Sequence, residues 1–533
     1  MVKIGERMAR IGHGVFDEVP SNEFGTKAAG LATMAHLGIP VPPAFSLSVT
    51  LCEEYYLGGE RLPEDFPVLL RNGISFLETA TGLVFGGSRR PLLVSVRSGA
   101  PVSMPGVMDT LLNVGLNQDT VRGLISLSGN PRFAWDSYRR LLQDFSRVVF
   151  RQDPRVYRTA LSEILDDENL SDELEMGSKN LMDLSIAYER IFSATLERRF
   201  PADVYEQLSL AAEGVIRSWK NPRAEAYRKM NLLGDVRGTA VTVQAMVFGN
   251  MGSRSGAGVA FTRNPWQGTD GLIVDFRFGA QGEDVVSGDQ SAVSPAVFSE
   301  SMPDVFRELQ DIGKKLEMHY RDMQDLEFTV QEGALFLLQT RPGKRSPYAA
   351  LKIAVSLCQE GIISQADVIW LLRDIDLDSL SLRRVISRDY PVAVGIPASA
   401  GVASGKIAFS GEQAEQEAGQ GHEVILVRET ASPDDLPGIA AAKGLLTMRG
   451  ARTSHAAVVA RQMGKICVVN CANLEIDASR RRCILSGHEL REGEVISIDG
   501  NSGNVYVGAV EYTEEKPTDL IARVRAWERE MQA

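Results

Sequence analysis

Between about Asn117 and Met230 the chain reads as helix almost throughout, with strand patterns on both sides, and no other feature restricts the fold as much. Phe133-Ala-Trp-Asp-Ser-Tyr-Arg-Arg140 opens a long amphipathic segment in that stretch. Before it, Ala44–Val49 and Pro91–Arg97 have the composition of strands, and strands return at Ala240–Phe248, Gly258–Thr262 and Leu272–Phe278. A helix over Pro303–Tyr320 and a hairpin over Asp325–Arg341 follow. The pattern predicts an α/β chain, α+β in its multidomain arrangement, and 533 residues are too many for one ordinary core.

Beyond Pro342 the composition turns to helix and loop, with an Asp/Leu/Ser-rich connection at Asp374–Ser381. A second compact unit begins near Ala393 and alternates short strands with helices at Asp434–Ala442 and His455–Met463. The boundaries read as a first unit over 1–345, a helical linker over 346–392, a second unit over 393–511 and a charged tail over 512–533. A net charge of −12 argues against a general nucleic-acid binder, which draws affinity from lysine and arginine. Five cysteines fit a reducing compartment better than a disulfide scaffold, and Cys467 and Cys471 read as core thiols at a strand end. The N-terminus lacks a signal-peptide core and no apolar run is long enough for a membrane span, so a cytoplasmic protein without a membrane partner is expected.

His455 lies in Gly450-Ala-Arg-Thr-Ser-His-Ala-Ala-Val-Val-Ala-Arg461, where a loop of small and hydroxyl residues becomes an alanine-rich helix. The first N–H groups of a helix lack intrahelical partners and carry about half a positive charge, which suits phosphate held on an imidazole. Thr453 or Ser454 is placed to cap that turn, and Arg452 adds a cation. In the hairpin, alternation puts Asp325 and Glu327 on one face of the first strand, and Gln339 and Arg341 on one face of the second. A three-residue loop with Gly333 left-handed makes those faces coincide. Hard oxygen ligands of this kind suit Mg²⁺ bridging nucleotide phosphates, and the arginine suits the phosphates themselves. Three glycine-containing segments offer backbone N–H groups beside a cation: Gly25-Thr-Lys27, Arg97 to Gly106, and Ser253-Arg-Ser-Gly-Ala-Gly258 with Gly256 inside it.

With these motifs, and with Leu92-Leu-Val-Ser-Val-Arg-Ser-Gly-Ala, Ser103-Met-Pro-Gly-Val-Met-Asp-Thr110, Asn130 to Arg140, Gly258 to Pro265 and Ala280-Gln-Gly-Glu-Asp-Val-Val286 in the same order, the chain closely resembles the pyruvate phosphate dikinase family. Phosphoenolpyruvate synthase is a more distant likeness. The resemblance implies an ATP-grasp nucleotide domain, with 117–230 as a helical insertion, joined by the linker to a swivelling β/β/α phosphohistidine domain. It implies ATP and Mg²⁺, with or without a monovalent cation, and inorganic phosphate as a further substrate. Lys27, Arg97 and Arg140 match the family's phosphate-binding cations, and Gly106 its mobile phosphate loop. Gln244 and Glu283 match positions lining the nucleotide site, Asp325, Glu327, Gln339 and Arg341 its metal and phosphate cluster, and His455 its phosphoryl carrier. Thr453 matches a position phosphorylated in plant dikinases, and capping is the role expected of it here.

The match departs from the family in three places. Ala257 and Ala451 stand where relatives have threonine and glycine, and the chain reaches Ala533 without the barrel that binds pyruvate. Three readings follow. His455, phosphorylated by ATP, passes its group to pyruvate on a separate barrel-bearing polypeptide or domain; or it serves a different small-molecule acceptor; or the chain is an ATP-responsive regulatory protein without turnover.

Overall fold

The computed structural model of the chain describes residues 7–102, 104, 108–170, 172–230, 233, 236–282, 284, 293, 295–431, 435–452 and 454–532. The chain divides into two compact units, Met1–Ser255 with Phe336–Gln339, and Gly256–Leu335 with Thr340–Ala533. The division after Ser255 falls inside the stretch expected to form one unit over 1–345.

In the first unit β1 (Met8–Gly12), β2 (Val15–Phe16), β3 (Ala44–Leu47), β4 (Val94–Gly99), β5 (Thr110–Val114) and β6 (Ala240–Ala245) form one sheet, in the order β2-β1-β3-β6-β4-β5. Neighbouring strands are antiparallel. Because β6 enters the middle of the sheet, the helices from Gln118 to Met230 are an insertion between β5 and β6. Asn117 starts that insertion: its side chain accepts from the N–H groups of Asp119 and Thr120, and Thr120 caps back. Asn130 caps the next helix, with Pro131 in its first turn. Leu141, Phe145, Leu208 and Val215 from the helices share one core with Phe45, Val94, Val96 and Val243 from the sheet. The insertion therefore completes the core of the sheet and has none of its own.

A second sheet, in the order β8-β7-β9-β10, is formed by β7 (Gly256–Arg263), β8 (Asp270–Phe278), β9 (Gln324–Gln331) and β10 (Ala334–Pro342), and it belongs to the second unit except for Phe336–Gln339 of β10, which is counted with the first. Helices Pro347–Gln359 and Gln365–Leu372 follow it. The stretch expected as a charged tail is folded: Tyr512–Glu515 pairs with Leu382–Val385, and helix Thr518–Gln532 buries Val524 in one core with Leu351 and Leu372. Leu520, Ile521 and Trp527 pack beside it, an apolar stripe at helical spacing that the charged composition obscures.

Residues 393–507 carry an eight-stranded sheet in which four adjacent strands, Val402–Ala408, Val424–Arg428, Gly444–Thr447 and Ile466–Val469, run parallel. One face packs on a three-stranded sheet through Leu474, Cys483 and Leu490, the other on helices through Ala414, Ile439 and Ala457. These are the β/β/α layers expected. Cys467 and Cys471 are buried at a strand end, and burial pushes their thiols up to about 12 and about 11. Among the described residues no helix is long and apolar enough to cross a membrane.

Candidate nucleotide and phosphohistidine sites

In the first unit three expected residues meet. The β4–β6 ladder sets Ser95 opposite Gln244 and Arg97 opposite Thr242, which brings the guanidinium of Arg97 beside the Gln244 side chain. Arg97 Nη1 donates to Gln244 Oε1 at 3.4 Å and to the Leu338 carbonyl at 3.2 Å, while Nη2 donates to Gln339 Oε1 at 3.5 Å. Gln244 Nε2 donates to the Pro42 carbonyl at 3.0 Å, which turns the amide oxygen toward Arg97. Gly25 places Lys27 in the same neighbourhood of the chain. Its φ of 81° is left-handed, and a Cβ there would lie 2.1 Å from the Gly99 carbonyl oxygen, so only glycine lets this turn press against the end of β4. Thr26 N–H donates to the Ala100 carbonyl at 3.1 Å, and Lys27 follows, half-buried, in helix Ser21–His36.

The surroundings of Arg140 are of another kind. Its Nε donates to Asp136 Oδ2 at 3.0 Å, one helical turn away, and Nη2 lies 3.9 Å from Glu173. Arg139 pairs with both carboxylates, and Asn250 donates to Asp136 at 3.1 Å. Burial pushes the Asp136 carboxyl up, but Arg139, Arg140 and Arg132 outweigh it and hold the group below the usual carboxylate range.

The second unit gathers Asp325, Glu327 and Arg341. Their hairpin closes through two residues, Glu332 at φ 50° and Gly333 at φ 83°, and not through the three expected, because Gln331 still belongs to β9. Two consecutive left-handed residues are the type I′ geometry that matches strand twist. Arg341 Nε donates to Asp325 Oδ2 at 2.7 Å, and Nη1 lies 3.4 Å from Glu327. Burial pushes the Asp325 carboxyl up against the pull of Arg341. Burial alone would lower Arg341, but the two carboxylates hold it above its ordinary value. Asp325 Oδ1 is buried without a hydrogen-bond donor among the described residues. An orphaned carboxylate oxygen beside a second carboxylate fits a hard divalent ion. Among the described residues no group of three or more His, Cys, Asp or Glu side chains is placed to hold a metal ion.

The cradle expected to run through Gly256 and Gly258 is corrected: both lie inside β7, paired on both sides. A Cβ at Gly256 would meet the Phe276 ring at 2.2 Å, and one at Gly258 the Phe328 ring at 2.4 Å. These glycines make room for aromatic rings, and Ala257 between them is buried.

Helix His455–Gln462 begins where expected, with Ser454 as its N-cap accepting from the Ala457 N–H at 3.4 Å. Arg452 donates through Nε to Asp275 at 3.1 Å, so in this arrangement its charge is paired. Sequence reasoning passed over Asp275, although a carboxylate between Val274 and Phe276 in an apolar strand is a visible signal. The register sets both Asp275 and Glu327 opposite Val259, which puts the two acids on one face of the sheet. Gly106, Glu283 and Thr453 lie outside the described residues.

Comparison with known proteins bears on both units. A family model described as pyruvate phosphate dikinase, AMP/ATP-binding domain, matches residues 60–306 and 303–360, and one described as PEP-utilising enzyme, mobile domain, matches 420–503. Pyruvate, phosphate dikinase of Clostridium symbiosum is 40% identical over 511 residues, 95% of this chain and 58% of that protein. The Rhizobium meliloti enzyme is 42% identical over 95% of this chain and 58% of its own length, and dikinase 2 of Zea mays 42% over 91% and 55%. The chain thus spans little more than half the length of these relatives.

Proposed function

This chain belongs to the pyruvate phosphate dikinase family, and from that premise we propose that it is an ATP-dependent phosphotransferase whose carrier is His455. The imidazole attacks the β-phosphorus of ATP and the bond to AMP breaks, leaving a pyrophosphoryl group on the ring. Inorganic phosphate takes the terminal phosphoryl as pyrophosphate, and the phosphohistidine that remains passes its group to pyruvate on a separate domain or polypeptide. Lys27, Arg97 and Arg140 hold the phosphates in this reading, and Gln244 with the chain near Glu283 lines the nucleotide. Asp325, Glu327 and Gln339 would hold Mg²⁺, which when bound neutralises charge on the phosphates, and Arg341, which pairs with the two carboxylates, would contact the phosphates beside them. Ser454 and Arg452 shape the turn that presents His455, with Thr453 beside them.

The observation that carries this reading is the meeting of Arg97, Gln244 and Gln339, drawn from three distant segments onto one guanidinium. Such a group supplies the charge and alignment that phosphoryl transfer demands, where covalent assistance counts for little. Incubation with Mg²⁺ and ATP labelled at the β-phosphate, with and without inorganic phosphate, should place acid-labile label on His455 and release AMP. The same experiment on His455→Ala should yield no label. Label on that variant would overturn the carrier assignment, and no AMP under any condition would overturn the enzymatic reading.

A further inference from the structure

Burying a cation that donates to no described carboxylate is costly, and Arg461, at the far end of helix His455–Gln462, is 2% exposed. Its acceptors are carbonyls. Nε and Nη2 donate to Ala398 at 3.1 and 2.9 Å, and Nη2 also donates to Arg452 at 3.0 Å. Nη1 is buried and has no acceptor among the described residues. The guanidinium carbon lies 5.3 Å from the centre of the Phe261 ring and 5.4 Å from that of Trp266, within the range of cation–π attraction. Burial pushes the group down to about 10, with Cys467, Asp325 and Asp275 acting in the other direction.

An apolar side chain of similar length would fill this space without the desolvation cost, so packing alone gives no reason for a guanidinium here. What the guanidinium does is join three pieces of chain. Ala398 belongs to edge strand Ile396–Ser399, Arg452 lies three residues before His455, and Arg461 itself closes the helix that His455 opens. The rings above it come from β7 and the turn after it, and the register sets Phe261 directly opposite Asp325. One side chain thus holds the loop ahead of the histidine and rests on the sheet that carries Asp325 and Glu327.

We propose that Arg461 is a positioning residue for His455: it holds the Arg452 carbonyl, and with it the loop before the histidine, while Phe261 and Trp266 seat it on the sheet bearing the acidic cluster. The inference rests on the phosphohistidine reading above. Lysine in its place keeps the charge, but a single ammonium lacks the planar fork that spans two carbonyls and stacks between rings.

The test uses the full chain with Mg²⁺ and ATP labelled at the β-phosphate, and follows labelling of His455 in a single turnover beside the Kd for ATP and the thermal unfolding midpoint. Arg461→Met should lower the unfolding midpoint only modestly, by the loss of donors to two carbonyls, and bind ATP unchanged, yet label about tenfold more slowly or worse, since misplacement of a reacting group acts on rate. Arg461→Lys should recover part of that rate, and Trp266→Leu should slow labelling less than Arg461→Met does. Labelling of Arg461→Met within about twofold of wild type would overturn the inference while leaving the carrier assignment standing. A loss that disappears when labelling is run well below the variant's unfolding midpoint would also overturn it, by marking a role in folding alone. Wild-type protein that never labels His455 would overturn the functional reading and this inference with it.

Discussion

Arg97 and Arg140 belong to the same unit and carry the same charge, yet the chain treats them differently. Arg97 leaves a strand and donates to amide and carbonyl oxygens of Gln244, Leu338 and Gln339. Acceptors of that sort orient a guanidinium without cancelling its charge. Arg140 leaves a helix and donates to the carboxylate of Asp136, with Glu173 a little farther off. Among the acceptors described, those of Arg97 are neutral oxygens and those of Arg140 are carboxylates, so the two sets differ in how far they compensate a positive charge. Which residues are cations is written in the sequence, but how much of each charge remains for a ligand is decided by neighbours that only the fold assembles.

The contrast is open to direct attack. Arg97→Met should slow labelling of His455 from ATP by about a hundredfold to a thousandfold, the range seen when one donor to a developing charge is removed. Its unfolding midpoint in urea should move less than that of Arg140→Met, because the acceptors it gives up on buried Gln244 and Gln339 are neutral. Arg140→Met should show the opposite balance: a stability loss of about 2 kcal/mol, since Asp136 keeps Arg139 but loses one of its partners in a buried pair. Labelling should fall only by about tenfold in that variant. Were Arg140→Met to lose more labelling than Arg97→Met while unfolding normally, the contrast would be inverted, and Arg140 would be the principal phosphate cation.

Parts of this arrangement were legible in the residues and parts were not. The helical insertion could be placed because Asn117 and Asn130 are caps whose side chains act within a few residues. The hairpin could be placed because strand alternation is local, but its turn was misjudged by one residue, since Gln331 has the polarity of a loop and the pairing of a strand. Gly256 and Gly258 look like a phosphate cradle in sequence, and nothing short of the strand partners reveals Phe276 and Phe328 above them. The folded C-terminal helix was hidden by its charges, because its stripe of Leu520, Val524 and Trp527 is narrow. The partners of Asp275 and Arg461 escaped for a deeper reason: they lie 177 and 63 residues away along the chain. Such pairings belong to topology, on which short-range pattern is silent.

The smallest expected effect is also the most specific. Asp136 titrates below its ordinary value in the folded chain because Arg139, Arg140 and Arg132 outweigh its burial. A carboxyl depressed in this way stabilises the fold above its unfolded value of about 3.9, and the contribution is lost as pH falls through the lower, folded value. Arg140→Met removes one of the three cations and so reduces the depression without abolishing it. The stability difference between wild type and Arg140→Met should therefore be full at neutral pH and shrink as the solution is taken below the ordinary carboxylate range. Arg97→Met, whose described acceptors are neutral oxygens, should run parallel to wild type across the same range. Urea unfolding of the three proteins at several acidic pH values checks this. A wild-type to Arg140→Met gap that stays constant with pH would mean that the Asp136 pair contributes nothing, and that the two arginines differ in location alone and not in how much charge each keeps.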